Sequence, residues 1–396
     1  MEEIEESFKE SSYCTTWGTA VVQIENPKIS LKISLANNTI RQIVHVSVSG
    51  ENIRLKLSNK SGETNLEIKE ITIADSISQG TGNIDIKSLS SIFFNGKKNI
   101  IIPPGEEIYS DTIPYHLKAL SEIAISIYFG ETPEKSTGHK NSYTFSFIDD
   151  GNKVHEKKIS LKNEISHWYF ISAIEVYSNP IKKAIVCFGD SITDGTGSIP
   201  NKQNRWIDLL SEKLHLNKET SEIAVVNKGI GGNKITKHGL NRYSYDVLQV
   251  KGISYIIVLF GINDISCLKK ITSSDIISAY KKLIKEAHNN NIFIYGGTNL
   301  PFGKNKEFSE NKEKIRQEVN NWIRNTKKEE GGFDYFFDFD KLIRDPNNHT
   351  IMYNDYARFD GIHPNEKGHQ ILAQAFDNLE IFTRKHNFDK DSNVIK

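Results

Sequence analysis

The stretch Gly189-Asp190-Ser191-Ile192-Thr193-Asp194-Gly195 sets a serine between two glycines. The apolar run before it, Ala184 to Phe188, has the length and bounding glycine of a buried parallel strand. The hydroxyl therefore falls just past a strand's carboxyl end, where open α/β sheets place their sites. The flanking glycines let the backbone bend tightly and leave room for a second molecule to approach. A serine hydroxyl is a weak nucleophile at neutral pH unless a base takes its proton as it attacks. Asp360-Gly361-Ile362-His363-Pro364-Asn365 offers that base. An imidazole titrates near neutrality and can hand the proton on to a leaving alkoxide. Asp360, three residues earlier, can accept the other ring N–H, fixing the tautomer and stabilising the imidazolium. Two more stretches share this setting: Asn227-Lys228-Gly229-Ile230-Gly231-Gly232-Asn233 after the apolar run Ile223 to Val226, and Gly261-Ile262-Asn263-Asp264 after Tyr255 to Phe260. All four lie at strand ends or helix starts, so one sheet edge can gather them. Each also has an ordinary structural reading. Ser191 can cap a helix, Gly231-Gly232 can be a plain loop, Asn263 can hold its own turn, and Pro364 can open a helix.

In that order and spacing the four stretches resemble the signature blocks of the SGNH (GDSL-type) hydrolases, over roughly residues 180 to 380. The matching positions are Ser191, Gly232, Asn263 and His363, with Asp360 three residues before the histidine. The resemblance implies a catalytic Ser191–His363–Asp360 set. It also implies an oxyanion hole built from the backbone N–H of Ser191, the backbone N–H of Gly232 and the side-chain amide of Asn263. Those residue types suit an oxyanion hole. Glycine lets its N–H turn outward without a side chain in the way, and an asparagine amide donates without adding charge. Asp194 and Asp264 have no assigned part, and Asp264 reads as a structural hydrogen-bonding partner. No Gly-x-Ser-x-Gly elbow surrounds Ser191, which argues against the α/β-hydrolase fold with the same residue order.

The elements that must position these residues fall in two regions. From about 17 to 178 the periodicity is two: Ile29, Leu31, Ile33 and Leu35 alternate with polar neighbours. So do Ile53 to Leu57, Leu66 to Ile73 and Tyr143 to Phe147. Turn clusters at 36–38, 59–62, 80–82 and 103–105 separate them. The pattern predicts an antiparallel β-sandwich over 1–178, and some longer members of the family resembled carry one. Trp17, Trp168 and Tyr169 sit in apolar strand contexts and are expected to pack in a core, with carbohydrate binding as the alternative. His45, His116 and His155 are expected to be structural. Over 179–396 strands alternate with helices. Apolar runs at 223–226, 255–260, 292–296 and 333–339 alternate with helical faces led by Trp206, Ile276, Ile315 and Ile371. That alternation predicts a parallel sheet covered on both faces, a three-layer α/β/α sandwich.

Composition narrows the partners. The chain has 396 residues with 50 basic and 50 acidic side chains. Balanced charge argues against nucleic acid or an anionic membrane held by bulk electrostatics. Cys14, Cys187 and Cys267 are too scattered for a disulfide framework or zinc site, and Cys187 reads as a core thiol. No metal cluster or dinucleotide fingerprint appears, and the expected chemistry needs no cofactor. No apolar run reaches membrane-spanning length. The acidic start, Met1 to Glu6, is the reverse of a signal peptide's basic one. It reads as cytoplasmic, or secreted if a leader was removed. The expected activity is hydrolysis of carboxylic esters, first an acetyl group on a carbohydrate. The alternatives are a lipid ester such as a lysophospholipid, a thioester, or a glycan-binding protein on an inactive hydrolase fold. Oligomeric state is left open.

Overall fold

The structure, a computed structural model, describes residues 9–27 and 32–383. The acidic N-terminus, Ile29 and Leu31 of the first alternating stretch, and the tail from Lys385 lie outside the described residues. The chain divides into two compact units, Met1–Lys182 with Ile199–Gln203, and Lys183–Ser198 with Asn204–Lys396.

The first unit is an antiparallel β-sandwich domain, and its strands follow the period-two pattern. Leu66–Asp75 buries Leu66, Ile68, Ile71 and Ile73 while Glu67, Lys69 and Glu70 turn outward. Among the described residues three antiparallel sheets form. One is ordered Tyr13–Gly18, Ile171–Tyr177, Gly50–Ser58, Glu107–Tyr109, and the largest is centred on Asn38–His45 and Glu122–Phe129. A small one joins His167–Tyr169, Lys135–Lys140 and Val22–Glu25. Trp17 and Trp168 meet edge to face, ring centres 5.0 Å apart. The Trp168 indole N–H donates to the Ile43 carbonyl at 2.9 Å. Trp17, Trp168 and Tyr169 are thus core residues. His45 meets the Leu120 carbonyl, His116 pairs with Glu51, and His155 with Glu70.

Two expected strands differ. Residues 32–35 lead into a turn instead of forming a strand, with Asn37 at φ 59°. The strand expected at Tyr143 begins only at Ser146. Asn141 and Tyr143 take positive φ, which interrupts extended backbone. The Phe145 N–H goes to the Asn201 side chain at 2.8 Å instead of a ladder partner.

The second unit is a three-layer α/β/α domain. Five parallel strands, β1 (Ala184–Gly189), β2 (Ala224–Gly229), β3 (Ile253–Leu259), β4 (Phe293–Gly297) and β5 (Tyr335–Phe337), stand in the order β2-β1-β3-β4-β5. Its helices include α1 (Trp206–Leu216), α2 (Ser273–Asn289), α3 (Glu310–Asn325) and α4 (Glu366–Ala373). Every residue of β1 is buried, as a central strand between two helical layers requires. Cys187 is buried within it, and burial raises its thiol well above the ordinary range. The face of α2 is the expected one, burying Ile276, Tyr280, Leu283, Ile284 and Ala287. The run at 333–339 is cut to three strand residues because Asp338 caps a new helix, Phe339–Ile343, accepting from the Lys341 N–H. Among the described residues no helix is long and apolar enough to cross a membrane, and no His/Cys/Asp/Glu group is arranged to hold a metal.

One buried feature of α3 was outside the apolar pattern. Arg316 is fully buried, donating to Glu313 at 2.7 and 2.8 Å and to Asp340 at 2.7 Å. Without Arg316 the buried Glu313 side chain loses its cation, while Asp340 keeps Arg324. Arg316→Met is expected to destabilise the protein by about 3–5 kcal/mol, read as the shift in a denaturant-unfolding midpoint.

Candidate active site

The strand order puts a topological switch point at β1, whose neighbours β2 and β3 were added on opposite sides. The three strands end in the first three signature stretches. At the end of β1 the chain turns so closely that a Cβ on Gly189 would lie 2.1 Å from Thr193 Oγ1 and 2.7 Å from the Leu259 carbonyl oxygen. Only glycine fits. The short helix Ser191–Asp194 follows, capped by Asp190, whose Oδ1 accepts from the Ile192 N–H at 3.0 Å. Asp190, not Ser191, is the cap, which leaves the serine hydroxyl available.

That hydroxyl lies 2.7 Å from His363 Nε2. His363 Nδ1 is 3.0 Å from Asp360 Oδ2. Burial alone would raise the Asp360 carboxyl, yet the N–H groups of His363 and Ile362 and the His363 ring hold it below the usual carboxylate range. An ionised Asp360 accepts only, so Nδ1 carries the ring proton and the neutral imidazole presents Nε2 as acceptor to the serine O–H. Gly361 takes φ +69° between them, against the backbone of Lys304 and Asn305. The Asn305 amide donates to the Asp360 carbonyl at 2.8 Å. Asn365 caps α4 just beyond.

The other two stretches are tied to this set. The Ile230 N–H donates to the Gly189 carbonyl at 3.2 Å, and a Cβ on Gly231 would come within 3.9 Å of Ser191 Cβ. Gly232 is exposed at φ +74° with nothing within 4 Å of an added Cβ. Its glycine answers to backbone conformation, not to crowding. Asn263 is the second residue of the helix Ile262–Cys267, which follows Gly261 at φ +116°. One N–H of its amide reaches the Asn233 carbonyl at 3.1 Å. Asp264 accepts from the Ile235 and Thr236 N–H groups at 2.8 and 3.1 Å, the structural part expected of it. Ser191, His363 and Asp360 are joined by direct hydrogen bonds, while Asn263 is tied through the Asn233 carbonyl to the loop that carries Gly232.

Ile192 and Ile262 are buried in the core, while Ile362 is half-buried. Asn201 and Gln203 are occupied within the first unit, by Tyr143, Phe145, Thr144 and Glu122.

Three polar residues escaped the sequence reading. His369 is fully buried on α4, its Nε2–H donating to the Thr196 carbonyl and its Nδ1 accepting from the Trp206 N–H. Burial pushes its pKa down to about 4, so the ring is neutral. Arg242 reaches the Gly189 and Lys228 carbonyls. Asp190 is buried, and its Oδ2 has no hydrogen-bond partner among the described residues. Burial, with Asp264 and Asp194 nearby, pushes its carboxyl up to about 7 against the opposing pull of Arg242 and the Ile192 N–H. The helix period around His369 was a usable signal. Nothing local marked Arg242 as tied to the strand ends.

Residues 187–371 match the model of the GDSL-like Lipase/Acylhydrolase family. A member of the lipolytic protein G-D-S-L family from Veillonella parvula is similar in structure. It is 20% identical, with 51% of this chain and 100% of that one covered and a TM-score of 0.37. A GDSL-like lipase from Bacteroides thetaiotaomicron is 19% identical, covering 49% and 85%, TM-score 0.38. A catalytic mutant of an acetylxylan esterase from Geobacillus stearothermophilus is 20% identical, covering 49% and 92%, TM-score 0.40. No curated protein matches the chain.

The raised Asp190 carboxyl has a consequence for stability. Unfolded, it ionises near pH 4; folded, it holds its proton to about pH 7. The native state therefore binds the extra proton between these values, and this residue's contribution falls as pH rises through that window. Asp190→Asn keeps the capping oxygen and is expected to stabilise the protein at pH 8 by about 1 kcal/mol or more, read as a higher melting temperature. Near pH 4 it should leave the melting temperature unchanged.

Proposed function

We propose, on the match of residues 187–371 to the model of the GDSL-like Lipase/Acylhydrolase family, that this chain is a serine esterase acting through an acyl-enzyme, with short O-acyl groups on carbohydrate as substrate. The observation that carries the reading is the unbroken run of contacts from Ser191 Oγ to His363 Nε2 at 2.7 Å and from His363 Nδ1 to Asp360 at 3.0 Å.

In the first half-reaction Ser191 Oγ bonds to the ester carbonyl carbon as its proton passes to His363 Nε2. The imidazolium is stabilised by Asp360 across Nδ1. The carbonyl oxygen becomes an oxyanion, for which the Ser191 N–H, the Gly232 N–H and the second N–H of the Asn263 amide are the assigned donors. As the tetrahedral intermediate collapses, the C–O bond to the leaving alcohol breaks and that oxygen takes the proton from Nε2. Water then attacks the acyl carbon while giving a proton to Nε2. Ser191 leaves with it, restoring the enzyme.

The loops favour a polar alcohol component. After the serine the chain runs Thr193-Asp194-Gly195-Thr196-Gly197-Ser198, and after Gly232 it runs Asn233-Lys234-Ile235-Thr236-Lys237-His238. A fatty chain needs an apolar groove, since each buried methylene contributes about 0.8 kcal/mol. These stretches carry hydroxyl, amide and charged groups instead. p-Nitrophenyl acetate should be hydrolysed much faster than the octanoate, and an acetylated oligosaccharide should release acetate. A rate that climbs with acyl length favours the lipid-ester alternative.

Loss of an oxyanion donor acts in the transition state. Asn263→Ala should lower kcat by about 10²–10³-fold, roughly 2.7–4 kcal/mol, with little change in KM. A loss confined to KM would place Asn263 in ground-state binding and count against the assigned hole.

A further inference from the structure

Between β2 and β3 the chain forms three consecutive turns of unequal pitch: a π-helical turn Ile235–Gly239, an α-helical turn Leu240–Tyr243, and a second π-helical turn Ser244–Leu248. Wide π turns are uncommon and gather at functional positions, because each re-aims the side chains that follow. Here the turns flank Arg242. Its Nη2 donates to the Gly189 carbonyl at 2.9 Å, and its Nη1 to the Lys228 carbonyl at 2.8 Å. Nε donates to Asn233 Oδ1 at 2.8 Å. Asp246, one turn on, accepts from Nη1 at 2.9 Å, and the guanidinium lies 4.4 Å from the centre of the Phe188 ring.

These acceptors belong to the stretches that would hold the oxyanion donors. Gly189 is two residues before Ser191. Lys228 is at the end of β2. Asn233 follows Gly232, and its carbonyl receives the Asn263 amide. One planar fork thus spans the end of β1, the end of β2 and the loop between Gly232 and Asn263. Asp264, the residue next to Asn263, accepts from the Ile235 and Thr236 N–H groups and so ties the start of the first π turn to the same stretch. Positive charge at this point also faces Asp190 and Asp194. A lysine cannot replace it, since an ammonium is a point donor without the fixed fork of a guanidinium.

We propose that Arg242 is a positioning residue that sets the spacing of the Ser191, Gly232 and Asn263 donors around the developing oxyanion; this rests on the serine-esterase reading above. It touches no reacting atom. Its effect is on how well preformed donors meet the transition state, and a misplacement of about 1 Å there costs about 10²-fold.

The test is steady-state kinetics on p-nitrophenyl acetate for Arg242→Lys, Arg242→Ala and Asn233→Ala, with folding followed by circular dichroism. For Arg242→Lys the expected result is a fall in kcat of about 10- to 100-fold with KM nearly unchanged. The pH profile of kcat/KM should keep its shape, because His363 and Asp360 do not contact the fork. Added guanidinium should restore part of the rate of Arg242→Ala and none of the rate of Asn233→Ala. Asn233→Ala, which removes one acceptor and leaves its backbone carbonyl in place, should lose kcat less severely. It decides the matter if the Arg242 variants fail to fold. A folded Arg242→Lys, or failing that Asn233→Ala, that keeps the parent kcat would overturn the proposal, as would a loss expressed only in KM. Ser191→Ala measured alongside separates positioning from the chemistry it serves: residual turnover there would remove the esterase reading itself.

Discussion

The arrangement depends on how little space the backbone leaves where β1 ends. Gly189 has Thr193 on one side and the Leu259 carbonyl of β3 on the other. Gly229, at the end of β2, would place a Cβ 2.2 Å from the Asp194 nitrogen. The two glycines allow the short helix Ser191–Asp194 to lie directly against both neighbouring strand ends. With side chains there the helix would be displaced, and the serine would lose its place opposite His363. Close backbone approach, more than any hydrogen bond, brings four distant stretches to one edge of the sheet.

Around that constraint the polar groups are arranged so that each has one protonation state. Asp360 is kept ionised by three N–H groups. His369, buried behind the site, is kept neutral by burial against the opposing pull of the Thr196 carbonyl. Asp190 is the exception: it caps the helix Ser191–Asp194 with one oxygen and leaves the other buried and unsatisfied among the described residues. Its cost is borne at the residue next to Ser191, and local conflicts of this kind are most often found in functional sites.

Much of this was legible in the residues. The alternation of Leu66 to Ile73 and the helical face of Ile276 to Ala287 each followed one period, because a single face of each element is buried. The four signature stretches were legible for a different reason: each sits at a strand end or a helix start, and the order β2-β1-β3 brings the strand ends together. What was hidden depended on partners far away in sequence. Arg316 and Arg242 look like exposed helical cations until Asp340 and Gly189 are placed beside them. Tyr143 to Phe147 alternates like a strand, but Asn201 takes the Phe145 N–H and moves the strand's start to Ser146. Asn201 lies between β1 and the first long helix in sequence, yet it belongs to the other unit.

Everything proposed for the reaction turns on Ser191 being the nucleophile, made so by His363 and Asp360. A covalent probe reads this without kinetics: treatment with a fluorophosphonate, followed by peptide mass spectrometry to locate the phosphonylated residue. The expected result is one adduct on the peptide bearing Ser191, formed at the same rate at which esterase activity disappears and abolished in His363→Ala. An adduct on any other residue, or full inactivation with Ser191 unmodified, would contradict it.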